Sequence, residues 1–356
     1  MKEKILAALS GGVDSAAAAL LLLCEGHDVT GITMKLYSGA EDVLDSDDIG
    51  TPTQDILDAK SICDALGIEH ITLALGESFR KSVIENFIEE YKSGGTPNPC
   101  VECNRTIKFG KLLEVATARG FSKLATGHYA RIEQNADGRY LLKKAVDEGK
   151  DQSYFLWSLT QKELSRVLFP LGSFKKPEIR KLAAERGFSN AHKSDSQDIC
   201  FIPNGEYASF IKSYTGLEFP RGSFVDLGGR VLGEHSGIIN YTVGQRKGLG
   251  IALGKPAFVH SKDVVSNTVT LSDDAELYSK KLTASRINLS AVDTLREPTR
   301  LYAKIRYRHT PAIATVTQTS PTTFSLEFDE PQRAIARGQS VVLYDGDTVV
   351  GGGIID

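Results

Sequence analysis

Apolar positions in the first half of the chain fall into two alternating rhythms. Ile5-Leu6-Ala7-Ala8-Leu9 is a short unbroken apolar run, the pattern of a strand buried on both faces. The alanine and leucine run Ala16 to Leu23 behind it reads as a helix. Asp28 to Met34 is a second strand. Ile56, Ala59, Ile62, Cys63 and Leu66 recur at helical spacing up to Gly67, and Ile68 to Leu73 follows as a strand. Phe79, Val83, Ile84, Phe87 and Tyr91 mark an amphipathic helix stopped by Ser93-Gly94-Gly95, Ile107 to Arg119 marks another, and Ser122 to Gly127 returns to strand. Repeated strand and helix units predict an α/β fold, a parallel sheet with helices on both faces.

The rhythm changes twice. From about Gly205 to Ala275 glycine-rich hairpins appear, as at Leu227-Gly228-Gly229-Arg230, and from about Glu276 the pattern is all strand. Arg300 to Arg308 alternates, with Leu301, Ala303, Ile305 and Tyr307 on one face and Arg300, Tyr302, Lys304, Arg306 and Arg308 on the other. Four cations on one face repel one another unless something anionic lies against them. Val341 to Tyr344, Asp345-Gly346 and Val349 to Ile355 predict a terminal hairpin. The expected domains are 1–204, a small central unit 205–275, and a C-terminal β-barrel 276–356. A chain of 356 residues exceeds one ordinary core, which agrees with this division.

With 41% hydrophobic and 24% charged residues the composition is that of a globular protein. No apolar run reaches a membrane span, and Met1-Lys2-Glu3-Lys4 leads into a strand without a signal peptide, so a cytoplasmic location with no membrane partner is expected. The net charge of −3 excludes a uniformly basic coat but not local patches. Five cysteines, an odd number, argue against a disulfide framework. Cys24 and Cys63 lie on apolar helix stripes and read as core.

The chemistry concentrates in a few stretches. Ala8-Leu9-Ser10-Gly11-Gly12-Val13-Asp14-Ser15 joins strand to helix, and its two glycines let N–H groups converge at a helix N-terminus, a nest suited to pyrophosphate. It is neither a Gly-Lys-Ser/Thr phosphate loop nor a Gly-x-Gly-x-x-Gly turn. In Asn98-Pro99-Cys100-Val101-Glu102-Cys103 the prolines force an extended path, so the two cysteines sit on a loop or its junction with the next helix. Beside Arg105 and Lys108 they are expected to be exposed and to have thiolate character. Gly127-His128 ends a strand, where ligands collect in open α/β sheets, although His128 alone reads as a structural histidine. Lys150-Asp151-Gln152 by itself is a polar turn. The basic helix Lys175 to Arg186 is either a solvated face or a surface for a phosphate backbone. Gly244 to Gly250 lacks a strand-helix context and is not a nucleotide loop.

Ser10 to Ser15 resembles the pyrophosphatase (PP) loop of the ATP α-hydrolases. Together with Asn98-Pro99, Cys103-Asn104, Gly127-His128-Tyr129, Lys150-Asp151-Gln152 and Ser196-Gln197-Asp198-Ile199-Cys200, in that order, the whole chain resembles the bacterial tRNA-specific 2-thiouridylases. The resemblance implies an adenine-nucleotide α-hydrolase-like first domain and transfer of sulfur to C2 of the wobble uridine, position 34, in the tRNAs for glutamate, glutamine and lysine. It implies ATP and Mg²⁺ as cofactors, with tRNA and a sulfur carrier or cysteine desulfurase as partners. By similarity, Ala8 to Ser15, Met34 and Gly127 contact ATP, and Asn98, Pro99 and Cys100 the target base. His128, Lys150, Asp151, Gln152, Arg306, Tyr307 and Gln339 contact tRNA. Cys200 carries a persulfide and Cys103 is the nucleophile, the two forming a transient disulfide.

Where well-known members carry an aspartate after Asn-Pro, this chain has Cys100. Three thiols could instead hold a [4Fe–4S] cluster on Cys100, Cys103 and Cys200. The loop is also compatible with an adenylating synthetase acting on a small molecule, and, if relict, with a non-catalytic RNA-binding or iron–sulfur protein.

Overall fold

The computed structural model describes residues 2–37, 52–188, 199–202 and 205–356. Residues 39–51 of an acidic, glycine-containing loop expected over Gly39 to Thr53, the Ser196-Gln197-Asp198 part of the cysteine motif and Pro203 lie outside the described residues.

The chain opens with β1 (Lys4–Ala8), α1 (Val13–Cys24), β2 (Asp28–Lys35), α2 (Gln54–Leu66) and β3 (His70–Ala74). Next come α3 (Gly76–Phe79) and α4 (Glu85–Lys92), joined by a π-helical turn at Arg80–Ile84. Likewise α5 (Pro99–Cys103) and α6 (Leu112–Ala118) are joined by one at Asn104–Lys111. The two helices read from the sequence are thus continuous but widened in the middle, which a 3.6-residue periodicity does not reveal. After β4 (Lys123–Ala125) come β5 (Ala130–Gln134), β6 (Tyr140–Lys144), α7 (Gln161–Leu164), β7 (Val167–Leu168) and α8 (Lys176–Glu185).

Strands β3-β2-β1-β4-β7 form one parallel sheet in that order. Its two faces account for the unbroken apolar run of β1. Ile5 and Ala7 join Ala19, Leu22, Ala59 and Cys63 on the α1–α2 side, whereas Leu6 joins Phe79, Phe87 and Leu112 on the other. Cys63 is core as expected. Cys24, expected to be core, is instead exposed at the C-terminal end of α1. Chain order reverses between β1 and β4, and at such a switch point the strand ends open a crevice.

The central unit contains α9 (Tyr207–Thr215), β8 (Gly222–Val225), β9 (Val231–His235), β10 (Phe258–Asp263) and β11 (Thr268–Ser272), with its sheet in the order β10-β11-β8-β9. The last part is a closed six-stranded barrel: β12 (Tyr278–Asn288), β13 (Thr299–Lys304), β14 (Ala312–Ser320), β15 (Thr323–Arg333), β16 (Ser340–Asp345) and β17 (Thr348–Ile355), sealed by β12 pairing with both β15 and β17. Alternate residues such as Leu301, Ala303, Val316, Leu326, Val341 and Leu343 fill it.

One strand pairing crosses units, and one expectation needs correction. The β5–β6 hairpin, within the first domain by sequence, pairs with the barrel through Lys143 opposite Thr348, so that sheet spans both units. The Arg300–Arg308 strand ends at Lys304, and three of its four cations, Arg300, Lys304 and Arg306, find partners inside the chain. Arg300 pairs with Asp329 of β15 through two contacts of 2.6 and 2.5 Å, Lys304 lies over the Tyr154 and Tyr307 rings, and Arg306 donates to the Arg333 carbonyl at 3.0 Å. The expected anionic neighbour of this face is, for Arg300, an aspartate on a nearby strand of the same barrel.

Candidate functional site

The loop between β1 and α1 turns as its glycines predict. Gly11 has φ +70°, and a Cβ there would lie 2.8 Å from the Asp55 carbonyl oxygen of α2. Gly12 is the N-cap of α1, and no side chain caps the helix, so its dipole and first-turn N–H groups favour an anion. Ser15 closes the turn: Oγ accepts from the Ser10 N–H at 3.1 Å and donates to the Gly12 carbonyl at 3.0 Å.

Asp14, in the first turn of α1, is engaged from two sides. Its carboxylate accepts the Tyr129 hydroxyl at 2.9 Å and takes Lys176 Nζ on both oxygens at 2.7 Å. Lys176 opens α8 and is buried, and its backbone N–H donates to Asp147 at 2.9 Å. The basic helix is therefore not merely a solvated face, since one of its lysines serves the phosphate loop. Neither Lys176 nor Tyr129 carried a local sequence signal for this role. Met34 stands near the C-terminal end of β2, in register with Leu73.

The segment after β4 borders both this loop and the thiols. A Cβ on Gly127 would come within 2.8 Å of the Asp14 carbonyl carbon and the Ser15 nitrogen, so only glycine lets the strand end pack on the first turn of α1. The next residue, His128, faces the other way: Nδ1 is 2.7 Å from Thr126 Oγ1, and Nε2 is 3.5 Å from Lys108 Nζ. Burial, then the charge of Lys108, holds its pKa well below the ordinary histidine value, so the imidazole is neutral. It is a hydrogen-bonding group and no phosphate-binding cation.

Lys108, which the sequence marks only as a neighbour of the cysteines, also acts on the thiols. Cys103 is buried on α5, and burial pushes its thiol up to about 12; Lys108 lowers it, while the neighbouring Cys200 and Cys100 raise it. Cys100 and Cys200 present part of their side chains to solvent, yet desolvation around the sulfurs raises both. All three are free thiols. The expected exposed pair with thiolate character is thus corrected. Desolvation outweighs the single nearby cation, and Arg105 is turned away to Glu102. Among the described residues no group of three His, Cys, Asp or Glu side chains is placed to hold a metal ion.

Asn98 caps α5, accepting the Val101 N–H at 3.4 Å, with Pro99 in the first turn as helix starts favour. Its side chain also meets the Tyr154 hydroxyl, which donates to the Ser340 carbonyl at 2.8 Å. Asp151 is buried and accepts from the Ala145 N–H, the Ser153 N–H and Ser153 Oγ. Gln152 Oε1 accepts the Tyr129 N–H, and Lys150 lies in the same turn, its N–H bonded to the Asp147 carbonyl. Gln152, bonded to both the N–H and the carbonyl of Tyr129, braces that residue. Tyr307 packs on Phe155 with ring centroids 4.5 Å apart, close to Tyr154 and therefore to Asn98. Asn104, part of the Cys103-Asn104 motif, donates to the Phe155 carbonyl while its buried Oδ1 has no partner among the described residues.

A parallel sheet whose central strand feeds an uncapped glycine turn is followed by a small β unit and a closed barrel, a three-part architecture. Residues 3–204 match the family described as "tRNA methyl transferase HUP domain", 208–273 the "tRNA methyl transferase PRC-barrel domain", and 279–355 the "Aminomethyltransferase beta-barrel domain". Across 100% of its length the chain is 46% identical to the tRNA-specific 2-thiouridylase MnmA of Clostridioides difficile, covering 99% of that protein. Its identity to the proteins of the same name is 47% in both Treponema denticola (99% of this chain, 98% of that one) and Acetivibrio thermocellus (99% of each). The chain belongs to the tRNA-specific 2-thiouridylase family. Among the described residues no helix is long and apolar enough to cross a membrane.

Proposed function

We propose that this protein replaces the C2 oxygen of the wobble uridine, position 34, with sulfur in the tRNAs for glutamate, glutamine and lysine, at the expense of ATP. The observation that carries the reading is the placement of Gly127 and His128. Adjacent in sequence, one packs on the pyrophosphate loop and the other on Lys108 among the thiols.

The chemistry follows from the substrate. The uridine C2 oxygen is a poor leaving group, so it first attacks the α-phosphate of ATP, forming an AMP ester and releasing pyrophosphate. Ala8 to Ser15 and the N-terminus of α1 hold that pyrophosphate, with Lys176 at hand and Met34 and Gly127 bordering the nucleotide. Mg²⁺ would enter bound to the phosphates, and Asp14 is the carboxylate at the loop fit to meet it; bound, it offsets phosphate charge.

Asn98, Pro99 and Cys100 receive the flipped-out base. A persulfide on Cys200, loaded by a sulfur carrier or cysteine desulfurase, supplies the sulfur. Its terminal sulfur attacks C2 and AMP leaves. Cys103 attacks the Cys200 sulfur to free the thiolated product, leaving a Cys103–Cys200 disulfide that a two-electron reductant reopens. His128, Lys150 to Gln152, Arg306, Tyr307 and Gln339 serve tRNA engagement, directly or by shaping its surface.

The test is reconstitution with ATP, Mg²⁺, a persulfide donor and unmodified tRNA, reading 2-thiouridine by nucleoside mass spectrometry. Cys103→Ser and Cys200→Ser are each expected to abolish product while retaining tRNA binding. Thiolated tRNA from either variant would overturn the cysteine roles, and none from the unaltered protein would overturn the reaction.

A further inference from the structure

The five residues before the target-base segment, Ser93 to Pro97, have no helix or strand of their own between α4 and α5. Buried backbone polar groups need partners. Five groups in this stretch find them outside the first domain. Arg337 of the barrel accepts the Thr96 N–H on its carbonyl at 2.8 Å and donates Nη1 to the Ser93 carbonyl at 2.8 Å. Gln339 donates Nε2 to the Thr96 carbonyl at 2.7 Å and, more weakly, to the Pro97 carbonyl at 3.4 Å. From the central unit, Lys262 Nζ reaches the Gly95 carbonyl at 3.4 Å while lying over the Tyr91 ring.

The next barrel residue continues the arrangement. Ser340 accepts the Tyr154 hydroxyl on its carbonyl and the Trp157 N–H on its Oγ, and Tyr154 is the residue that the Asn98 side chain meets. Residues 337–340 are anchored in turn to the end of β17: the Gly338 N–H donates to the Ile355 carbonyl, and the Ile355 N–H to the Gln339 carbonyl. Asn98 is thus held on both sides, through Thr96 and Pro97 by Gln339 and through Tyr154 by Ser340.

We propose that Gln339 is a positioning residue: it fixes the Thr96–Pro97 backbone to the barrel so that the Asn98–Cys103 segment takes its reactive geometry only when barrel and first domain are held together, as tRNA bound across both would hold them. The inference rests on the thiolation reading for its purpose but not for its geometry. The side-chain amide that a direct tRNA contact would use is already engaged with the active-site loop. Losing it frees two carbonyls and loosens the N-terminal side of α5, which carries the buried Cys103.

The experiment uses the full chain without ATP or tRNA. Iodoacetamide labelling of Cys103, resolved from Cys100 and Cys200 by peptide mass spectrometry, is expected to run about fivefold faster in Gln339→Ala, the scale set by one hydrogen bond of ordinary net strength. With tRNA and ATP added, kcat for thiolation is expected to fall about tenfold with KM for tRNA changed less than about threefold, the signature of misplacement and not of lost binding. Arg337→Ala, which releases Ser93 from the same loop, should also quicken labelling, and it serves should Gln339→Ala fold poorly. Unchanged labelling in both variants, with a raised KM for tRNA alone, would overturn the proposal in favour of direct tRNA contact. Absence of thiolation by the unaltered protein would fail the reaction instead and leave the labelling result standing.

Discussion

Lys176 and Asp14, 162 positions apart, form a two-point ion pair of 2.7 Å per contact at the mouth of the pyrophosphate loop. Lys176 is buried and Asp14 half-buried, which makes the pair sensitive to loss of either partner. Asp14→Asn strands a buried ammonium and is expected to cost about 2 kcal/mol of stability, within the range for broken buried pairs after allowance for the exposure of Asp14. Lys176→Met keeps the stem of the side chain and removes only the charge. ATP affinity, measured by calorimetry, should fall about tenfold or more while tRNA affinity is unchanged. Equal ATP affinity would confine Lys176 to a structural role.

Gly127 is a second test of the same corner. A Cβ added there would be 2.8 Å from backbone atoms of Asp14 and Ser15, and backbone cannot step aside as a side-chain tip can. Gly127→Ala should therefore push β4 away from α1, costing about 1–3 kcal/mol in urea unfolding. It should also weaken ATP binding beyond what that loss of stability explains. Normal nucleotide binding would show that the loop tolerates displacement.

The chain displayed its α/β rhythm and its pyrophosphate loop openly, because both are local: an apolar strand, two glycines and a helix lie within twenty residues. What stayed hidden depended on distance or on solvent. Lys176 looked like any lysine on a basic helix, since nothing near position 176 announces that α8 packs along α1 and delivers it to Asp14. The state of the thiols was hidden for a different reason. Sequence shows which charges neighbour Cys103 but not that desolvation exceeds them. The alternation from Arg300 was right through Lys304, yet a period-two pattern continues through a bend as easily as through a strand. It also could not show that Asp329 would be the counterion. That the β5–β6 hairpin joins the barrel sheet was hidden because pairing across domains leaves no mark in either segment alone.

The raised thiol of Cys103 gives a pH prediction with a definite sign. Burial favours the neutral form, so the folded value of about 12 lies above the ordinary thiol value of 9.0. Stability is undiminished below about 9 and is lost as pH rises above it, because the folded thiol still holds a proton that the unfolded one has released. This proton-binding difference destabilises the fold as pH climbs from about 9 toward about 12 and has no effect below about 9. Iodoacetamide labelling of Cys103 should accordingly keep rising with pH beyond 9, where an exposed thiol levels off. Lys108→Met removes the cation that lowers this thiol and should slow labelling further at every pH below about 12. A plateau near pH 8 would show that the resting enzyme already holds a thiolate there.

Arg300 and Arg306 provide a matched comparison on the barrel. Arg300 is neutralised by Asp329 through two short contacts, so a phosphate approaching it meets a closed pair. Arg306 gives one N–H to the Arg333 carbonyl, a neutral group, and keeps its charge available beside Tyr307, Tyr154 and Asn98. Each phosphate neutralised by a protein cation contributes about 0.7 to 0.9 to the slope of log affinity against log salt. Arg306→Ala should lower the measured slope for tRNA by about that amount, and Arg300→Ala should leave it within about 0.3 of the unaltered value. Equal effects from the two variants would mean that Asp329 releases Arg300 to the RNA, and that the cationic face acts as a whole.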